Sequence, residues 1–510
     1  MQNLWITISK ATKKQPDAVA LFDPHCGASY TYRDLVNQVN LLASELQECN
    51  CPILGIYADN SPDWLIADLA GLASGCCVVP LPTFFTPSQL QHVVQDVGMT
   101  HLLKSKTPDA MHWGESSRQQ LDNSPFELLA LEPVKKSDRL PPGTIKVTYT
   151  SGSTGTPKGV CLSGEHLSTV AHSIAGALQK ESIEKHLCVL PLSTLLENVA
   201  GNYAPLLRHA QVDLPGLAQL GYSGSSDLQL PKFLASIANS SPGSVILIPE
   251  LLDALINGAG NGWSVPTQLK FIAVGGARVN QRQLDYALEL GLPVFQGYGL
   301  SECGSVVSIN VPGANKAGSV GKPLSHLRVH IEEGEVVVDG PHYLGYAGQK
   351  SPQTQLLRTG DLGFIDAEGY LYVNGRKRNL IISSYGRNIS PEWVESELHT
   401  IPGLQQCVLF GEARPHCVAL IYANKEVDSV ELNTAINAVN QTLPDYAQVK
   451  KWHRLSQPFS VSDHTLTPNG RLKRELIESR YKHEIDTMYH PPRDDFRQQE
   501  GSTTKLTFVE

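Results

Sequence analysis

Apolar positions recur along the chain with two different periods. From Asp17 to about Ser105, stretches with apolar residues at helical spacing are separated by short apolar runs such as Ile53-Leu-Gly-Ile-Tyr57 and Cys77-Val-Val-Pro-Leu81. Strand-helix alternation of this kind predicts an α/β layer with a parallel sheet. Lys104 to Gly143 is polar and irregular and closes on Pro141-Pro-Gly143, which predicts a linker, with a second α/β unit opening at Ile145-Lys-Val-Thr-Tyr149. Val245-Ile-Leu-Ile-Pro249 and Phe271-Ile-Ala-Val-Gly-Gly-Ala277 read as buried strands closed by breakers. Between Gly318 and Asn374 the pattern shortens to alternating strands with glycine turns (Val329-His-Ile331, Glu335-Val-Val-Val338, Tyr370-Leu-Tyr-Val373), which predicts an antiparallel β subdomain. Beyond Arg376, about 130 residues of mixed signals suffice for a small α+β domain, and the stretch from His490 is a polar tail. No internal repeat is visible.

Composition narrows the class. A chain of 510 residues with 41% hydrophobic and 18% charged residues is that of a multidomain globular enzyme, not a small binding module or a disordered chain. The net charge of -9 carries no long single-sign block, so a nucleic-acid footprint is not expected and small-molecule partners are. Ten scattered cysteines without a C-x-x-C pair signal neither a zinc site nor a disulfide framework, and fit a reducing cytoplasm. The start, Met1-Gln-Asn-Leu-Trp-Ile-Thr-Ile-Ser9, lacks a basic segment and an apolar run of leader length, so neither an export nor a membrane-spanning segment is expected.

The chemistry concentrates in Thr148-Tyr-Thr-Ser-Gly-Ser-Thr-Gly-Thr-Pro-Lys-Gly-Val160, a strand followed by a loop of hydroxyls, glycines and one lysine. Glycines let amides approach a phosphate, the hydroxyls of Thr150, Ser151, Ser153 and Thr154 add donors around Gly152 and Gly155, and Lys158 adds a mobile charge. The spacing is not that of a Walker A loop, because the lysine follows Pro157 and no Ser or Thr follows it.

This string resembles the phosphate-loop signature of the acyl-adenylate-forming superfamily, which includes acyl-CoA synthetases, luciferases and nonribosomal peptide adenylation domains. Further matches follow in that family's order. Gly275, Gly276 and Ala277 resemble its adenine-flanking turn, Gln296-Gly-Tyr-Gly-Leu-Ser-Glu302 its YGxTE motif, and Gly318 to Pro323 and Gly340 to Tyr346 its structural β motifs. Arg358-Thr-Gly-Asp-Leu-Gly363 and Gly375-Arg376 resemble its ribose-binding and hinge-proximal motifs. The matched stretch spans roughly two thirds of the chain, counting a last match near 470.

The resemblance implies a large N-terminal domain (1–377) of two parallel-sheet α/β subdomains plus a β subdomain (about 318–374). It also implies a small mobile α+β C-terminal domain (378–490), a hinge at Arg378 and a polar tail (491–510). The residues suit the roles it implies. Tyr298, beside Gly299, offers a ring for adenine, with Ser301 near a phosphate. Glu302 is a hard oxygen ligand for Mg2+, Asp361 can accept from ribose hydroxyls, and Arg376 can donate to ribose or phosphate. The implied reaction is attack of a carboxylate on the α-phosphorus of ATP, giving an acyl-adenylate and pyrophosphate, followed by capture by a thiol. Positioning and charge stabilisation carry such chemistry.

Two stretches depart from the family pattern. Where the family has a lysine directly after a glycine near the C-terminus, this chain reads Thr467-Pro-Asn-Gly-Arg-Leu-Lys-Arg474. Arg471 fills that position, Lys473 lies two residues on, and three readings stay open: Arg471 does the job, Lys473 does it by a register shift, or adenylation is impaired. In Leu190-Pro-Leu-Ser-Thr-Leu-Leu-Glu-Asn198, Thr194 stands where fatty acyl-CoA synthetases often carry His, and the absence of an FDxS-like Asp disfavours amino acids. Thr194, Leu195, Asn198 and Cys303 are the expected acyl-pocket residues, and the Leu-, Val- and Ile-rich segments around them suit a medium or long fatty acid. Gly386 and Arg387, in Leu380 to Pro391, are expected to face the thiol acceptor. CoA leads, with the phosphopantetheine of an acyl carrier protein as the alternative.

Overall fold

The computed structural model describes residues 4–106, 111, 113–121, 124–132, 140–150, 157–223, 227–349, 356–467 and 470–489. By contacts the chain divides into two compact units, 1–380 with 460–473, and 381–459 with 474–510.

The larger unit contains two extended sheets. In the first, the parallel strands Thr144–Thr150, Cys77–Pro80, Ile53–Tyr57 and His101–Ser105 lie side by side. Antiparallel strands flank them: Lys158–Ser163 and Gly345–Tyr346 at one edge, Phe126–Leu131 and Glu115–Gln120 at the other. In the second sheet, Val294–Tyr298, Phe271–Val274, Ser244–Leu247, Lys185–Leu187, Gln211–Asp213 and Val19–Phe22 run parallel. A four-stranded antiparallel sheet, Arg328–Glu332, Glu335–Asp339, Leu356–Ile365 and Leu371–Arg376, forms the β subdomain. The α/β architecture is the expected one.

Two expectations of detail are corrected. The segment after Lys104 is not a linker throughout: Phe126–Leu131 is a buried strand paired with His101–Ser105, and Glu115–Gln120 is an all-exposed polar edge strand. An edge strand with no buried face has no alternating pattern to read. Nor does a new sheet open at Ile145, because Thr144–Thr150 completes the first sheet beside Cys77–Pro80. The second sheet instead recruits Val19–Phe22 from the start of the chain, a pairing with Gln211–Asp213 that no local pattern encodes.

Helix starts follow local chemistry. Thr31 and Thr86 make capping boxes for Tyr32–Glu48 and Pro87–Val97, and Ser61 caps Pro62–Ser74, whose first residue is proline. A contiguous apolar cluster draws Trp64, Leu167, Val170 and Tyr203 from helices and Leu54, Val160, Val212 and Phe271 from strands of both sheets. Within it Lys146 is wholly buried, its Nζ 2.6 Å from each of Asp68 Oδ1, Asn198 Oδ1 and Tyr203 OH. Burial pulls the Lys146 pKa down and Asp68 opposes the shift. A buried ion pair is tolerated when, as here, further hydrogen bonds complete it.

The smaller unit carries a three-stranded sheet, Leu404–Phe410, Cys417–Ala423 and Val449–Arg454, with helices Pro391–Leu398, Ser429–Asn440 and Lys482–Tyr489. Its buried Glu395 pairs with Arg474.

Candidate active site

Thr150 and Lys158 face each other at the open end of an antiparallel pair of strands. The expected phosphate-loop residues Ser151, Gly152, Ser153, Thr154 and Gly155 join them and lie outside the described residues. The Lys158 ammonium is exposed and sits 5.7 Å from the ring centroid of Tyr346, whose hydroxyl donates to Glu302 Oε1 at 2.7 Å. Burial, and then the Glu302 carboxylate, push the Tyr346 hydroxyl above its usual range, so it remains a donor. Cation, ring and carboxylate thus form one chain at the mouth of the strand pair.

Glu302 is held by a single 3-10 turn, Ser301–Cys303, that follows the strand Val294–Tyr298. The turn folds tightly onto Gly299: a Cβ there would stand 1.7 Å from the Ser305 carbonyl oxygen, so only glycine fits. Glu302 O accepts from the Tyr343 amide at 2.7 Å.

Tyr298 reaches the β subdomain. Its hydroxyl donates to Asp361 Oδ2 at 2.6 Å, and Arg376 Nε lies 2.9 Å from Asp361 Oδ1, Asp361 and Arg376 being paired residues of adjacent strands. Asp361 is 4% exposed, whereas Arg376 is 40% exposed at its side chain. Burial and Asp361 raise the Tyr298 pKa well above its ordinary value. Each carboxylate oxygen has a second lone pair, so Asp361 can still accept from a diol.

Gly275, Gly276 and Ala277 follow the strand Phe271–Val274, and the Gly276 carbonyl accepts from Arg471 at 3.3 Å. Arg471 sits on a small hairpin, its amide donating to Thr467 Oγ1 at 3.0 Å and its carbonyl accepting from the Thr467 amide at 2.7 Å. It lies within electrostatic reach of Arg376, Asp361, Arg378 and Glu302. Lys473 lies just past the Leu466–Leu472 bridge, its amide on Thr465 O at 2.9 Å, and among the described residues its ammonium makes no hydrogen bond or ion pair. Arg378 is in the 3-10 turn Lys377–Asn379.

The expected acyl-pocket residues do not all share one environment. Leu195 and Cys303 are buried, and Thr194 is half-buried with its hydroxyl on Pro191 O. The Asn198 amide is committed to Lys146 and Asp68. In the smaller unit, Gly386 and Arg387 lie in a turn closed by the Gly386 amide on Ser383 O, and the Arg387 guanidinium is 5.9 Å from the Tyr446 ring. The residue missed by sequence reasoning is Tyr346, the last position of a motif taken only as structural.

Donors and acceptors on strand ends and turns, Tyr298, Glu302, Asp361, Arg376 and Arg471, thus lie within electrostatic or hydrogen-bond reach of one another in the larger unit. The description "AMP-binding enzyme" matches residues 8–346, and its C-terminal domain matches residues 378–492. The chain belongs to the AMP-binding enzyme family. It is 24% identical, over 85% of its length and 87% of the relative's, to the long-chain-fatty-acid–CoA ligase FadD15 of Mycobacterium tuberculosis. It is 28% identical, over 76% of this chain and 80% of the relative, to 2-succinylbenzoate–CoA ligase of Bacillus pumilus. Among solved structures, the fold matches O-succinylbenzoate coenzyme A synthetase of Bacillus subtilis in complex with ATP and magnesium ion. The TM-score is 0.75 at 23% identity, covering 94% of this chain and 99% of that one. Among the described residues no helix is long and apolar enough to cross a membrane.

Proposed function

We propose that this enzyme activates a medium or long-chain fatty acid with ATP and passes the acyl group to CoA in the cytoplasm. The observation that carries the reading is the convergence of Tyr298, Glu302, Asp361, Arg376 and Arg471, with Lys158 linked to Glu302 through Tyr346. In this reading the adenosine of ATP lies against Tyr298 and Gly275 to Ala277, with Asp361 accepting from the ribose hydroxyls. Thr150, Lys158 and the loop between them bind the phosphates, with Ser301 as a further donor. Glu302 offers a hard oxygen donor that fits Mg2+, which when bound neutralises phosphate charge. Arg471 orients the acid carboxylate against the α-phosphorus; its contact with Gly276 O favours it over Lys473. The chain's part is to hold the two reactants in line and to stabilise the charge that develops.

Similarity to a ligase named for long-chain fatty acids supports an apolar acid. Gly386 and Arg387 are proposed for the thiol acceptor, with Arg378 as hinge. The test is a mass spectrum of the thioester formed from ATP, Mg2+ and CoA with fatty acids, 2-succinylbenzoate and ferulate in parallel, and again with a holo acyl carrier protein in place of CoA. Medium or long acyl-CoA is expected. Product from the aromatic acids alone would overturn the substrate, and product on the carrier alone would overturn the acceptor.

A further inference from the structure

A second cluster of chemically capable side chains lies wholly inside the larger unit and takes no part in the reaction above. His186 and Cys188, two residues apart and so on one face of their chain segment, meet Glu197 from the π-helical segment Glu197–Tyr203. Their exposures are 2%, 0% and 0%, and one donor atom from each lies within 4.8 Å of the others. His186 Nε2 is 3.0 Å from Glu197 Oε1, while among the described residues Glu197 Oε2, equally buried, accepts no well-formed hydrogen bond, the Cys188 thiol making at most a weak contact with the carboxylate. His186 Nδ1 is 2.9 Å from Ser244 Oγ, which fixes the ring with Nε2 toward the carboxylate.

Burying a carboxylate requires that its charge be neutralised. A proton between Glu197 and His186 would do so, yet it leaves Oε2 without a well-formed hydrogen bond, at the cost of a poorly satisfied buried acceptor. A cation would engage the nitrogen, the sulfur and both oxygens at once. The backbone also keeps room there: a Cβ on Gly201 would stand 2.3 Å from Glu197 Oε1 and 2.8 Å from His186 Nε2, so glycine leaves the space over both atoms clear. Widened π-helical turns recur at functional sites.

We propose that His186, Cys188 and Glu197 bind one divalent transition-metal ion of the zinc class, as a structural centre separate from the nucleotide site. The donor set selects the ion. A thiolate beside an imidazole excludes magnesium and calcium, and nitrogen, sulfur and oxygen together suit zinc. Tetrahedral zinc ligands stand about 3.3 to 3.7 Å apart, so Cys188 closes by about an ångström on binding and releases its thiol proton to solvent. A second Glu197 oxygen, or Asn202 Oδ1 at 3.6 Å from Cys188 Sγ, completes the coordination. Ser244 is the outer partner that orients the imidazole. Sequence spacing carries no sign of this site, because the fold rather than a short motif assembles it.

The full-length protein, purified without chelators, is analysed for metal by mass spectrometry. After dialysis against chelator it is titrated with Co2+ while the near-ultraviolet thiolate-to-cobalt band is recorded. The proposal expects about one equivalent of zinc per chain, a saturable cobalt band, loss of that band in Cys188→Ser, and affinity at least tenfold weaker in Glu197→Gln. Absence of both bound zinc and the cobalt band in the wild-type chain overturns it, a result independent of whether any variant folds. Equal metal content in wild type and a folded Cys188→Ser protein also overturns it. No outcome bears on adenylation.

Discussion

Replacing Asp361 by Asn separates the nucleotide-binding role of this carboxyl from its place in the fold. The substitution keeps the shape of a side chain that is 4% exposed and leaves an acceptor for Arg376 and a partner for the Tyr298 hydroxyl. Its structural cost is that of weakening the charge-assisted bonds from Tyr298 and Arg376 to a buried carboxylate, about 1.5 to 3 kcal/mol, which urea unfolding reads separately from ATP binding. What it removes is the charged acceptor for the ribose hydroxyls. A hydrogen bond to a charged group is worth about 1.5 to 3 kcal/mol, or about 10- to 150-fold in an equilibrium constant. Pyrophosphate release measured against ATP concentration should therefore show the KM for ATP raised by about 10- to 150-fold, with the KM for the acid within about twofold of wild type. A folded Asp361→Asn protein whose KM for ATP is unchanged would refute the placement of ribose at Asp361.

Three further outcomes follow from named contacts. Gly299→Ala drives a Cβ against the Ser305 carbonyl, which the turn holding Glu302 cannot absorb without moving its backbone, so urea unfolding should report a loss of about 3 to 4 kcal/mol; a loss under about 1 kcal/mol would contradict the packing. His166 is buried, among the described residues neither ring nitrogen makes a well-formed hydrogen bond, and burial pulls its pKa down to about 4 against a weaker opposing pull from the Cys303 backbone. The unfolded chain takes up that proton first, near the ordinary value of about 6.5, so the stability His166 contributes is full above that pH. As pH falls toward 4, about 3 kcal/mol is lost; unfolding at pH 7 and pH 4.5 should show a shallower acid loss in His166→Asn, and equal slopes in the two proteins would sink the assignment. Arg471→Ala should lower the adenylation rate by about 100- to 1000-fold while Lys473→Ala changes it by less than about threefold; the reverse pattern in a pyrophosphate-release assay would assign the role to Lys473.

Much of the candidate site was legible because its residues fall where short motifs meet strand ends. Tyr298, Glu302, Asp361 and Arg376 lie on or just beyond strands whose apolar runs are visible in the sequence, and the glycine in Tyr298-Gly-Leu-Ser-Glu302 has a steric cause. Other features depend on partners distant in sequence. Asn198 looks like a pocket residue by position, yet Lys146 and Asp68, 52 and 130 residues away, take its side chain. The Tyr346 hydroxyl meets Glu302 only because Gly345–Tyr346 pairs with Lys158–Ser163 at the sheet edge. The strand Val19–Phe22 shows the same limit, since register with Gln211–Asp213 is set by the whole sheet and not by four local residues.

The most direct measurement is exchange of labelled pyrophosphate into ATP, with Mg2+ and a fatty acid present and no thiol. The account predicts exchange that requires the acid, because carboxyl attack on the α-phosphorus is reversible before any acceptor arrives. No exchange with any medium or long-chain acid, by folded protein that still binds ATP, would contradict it.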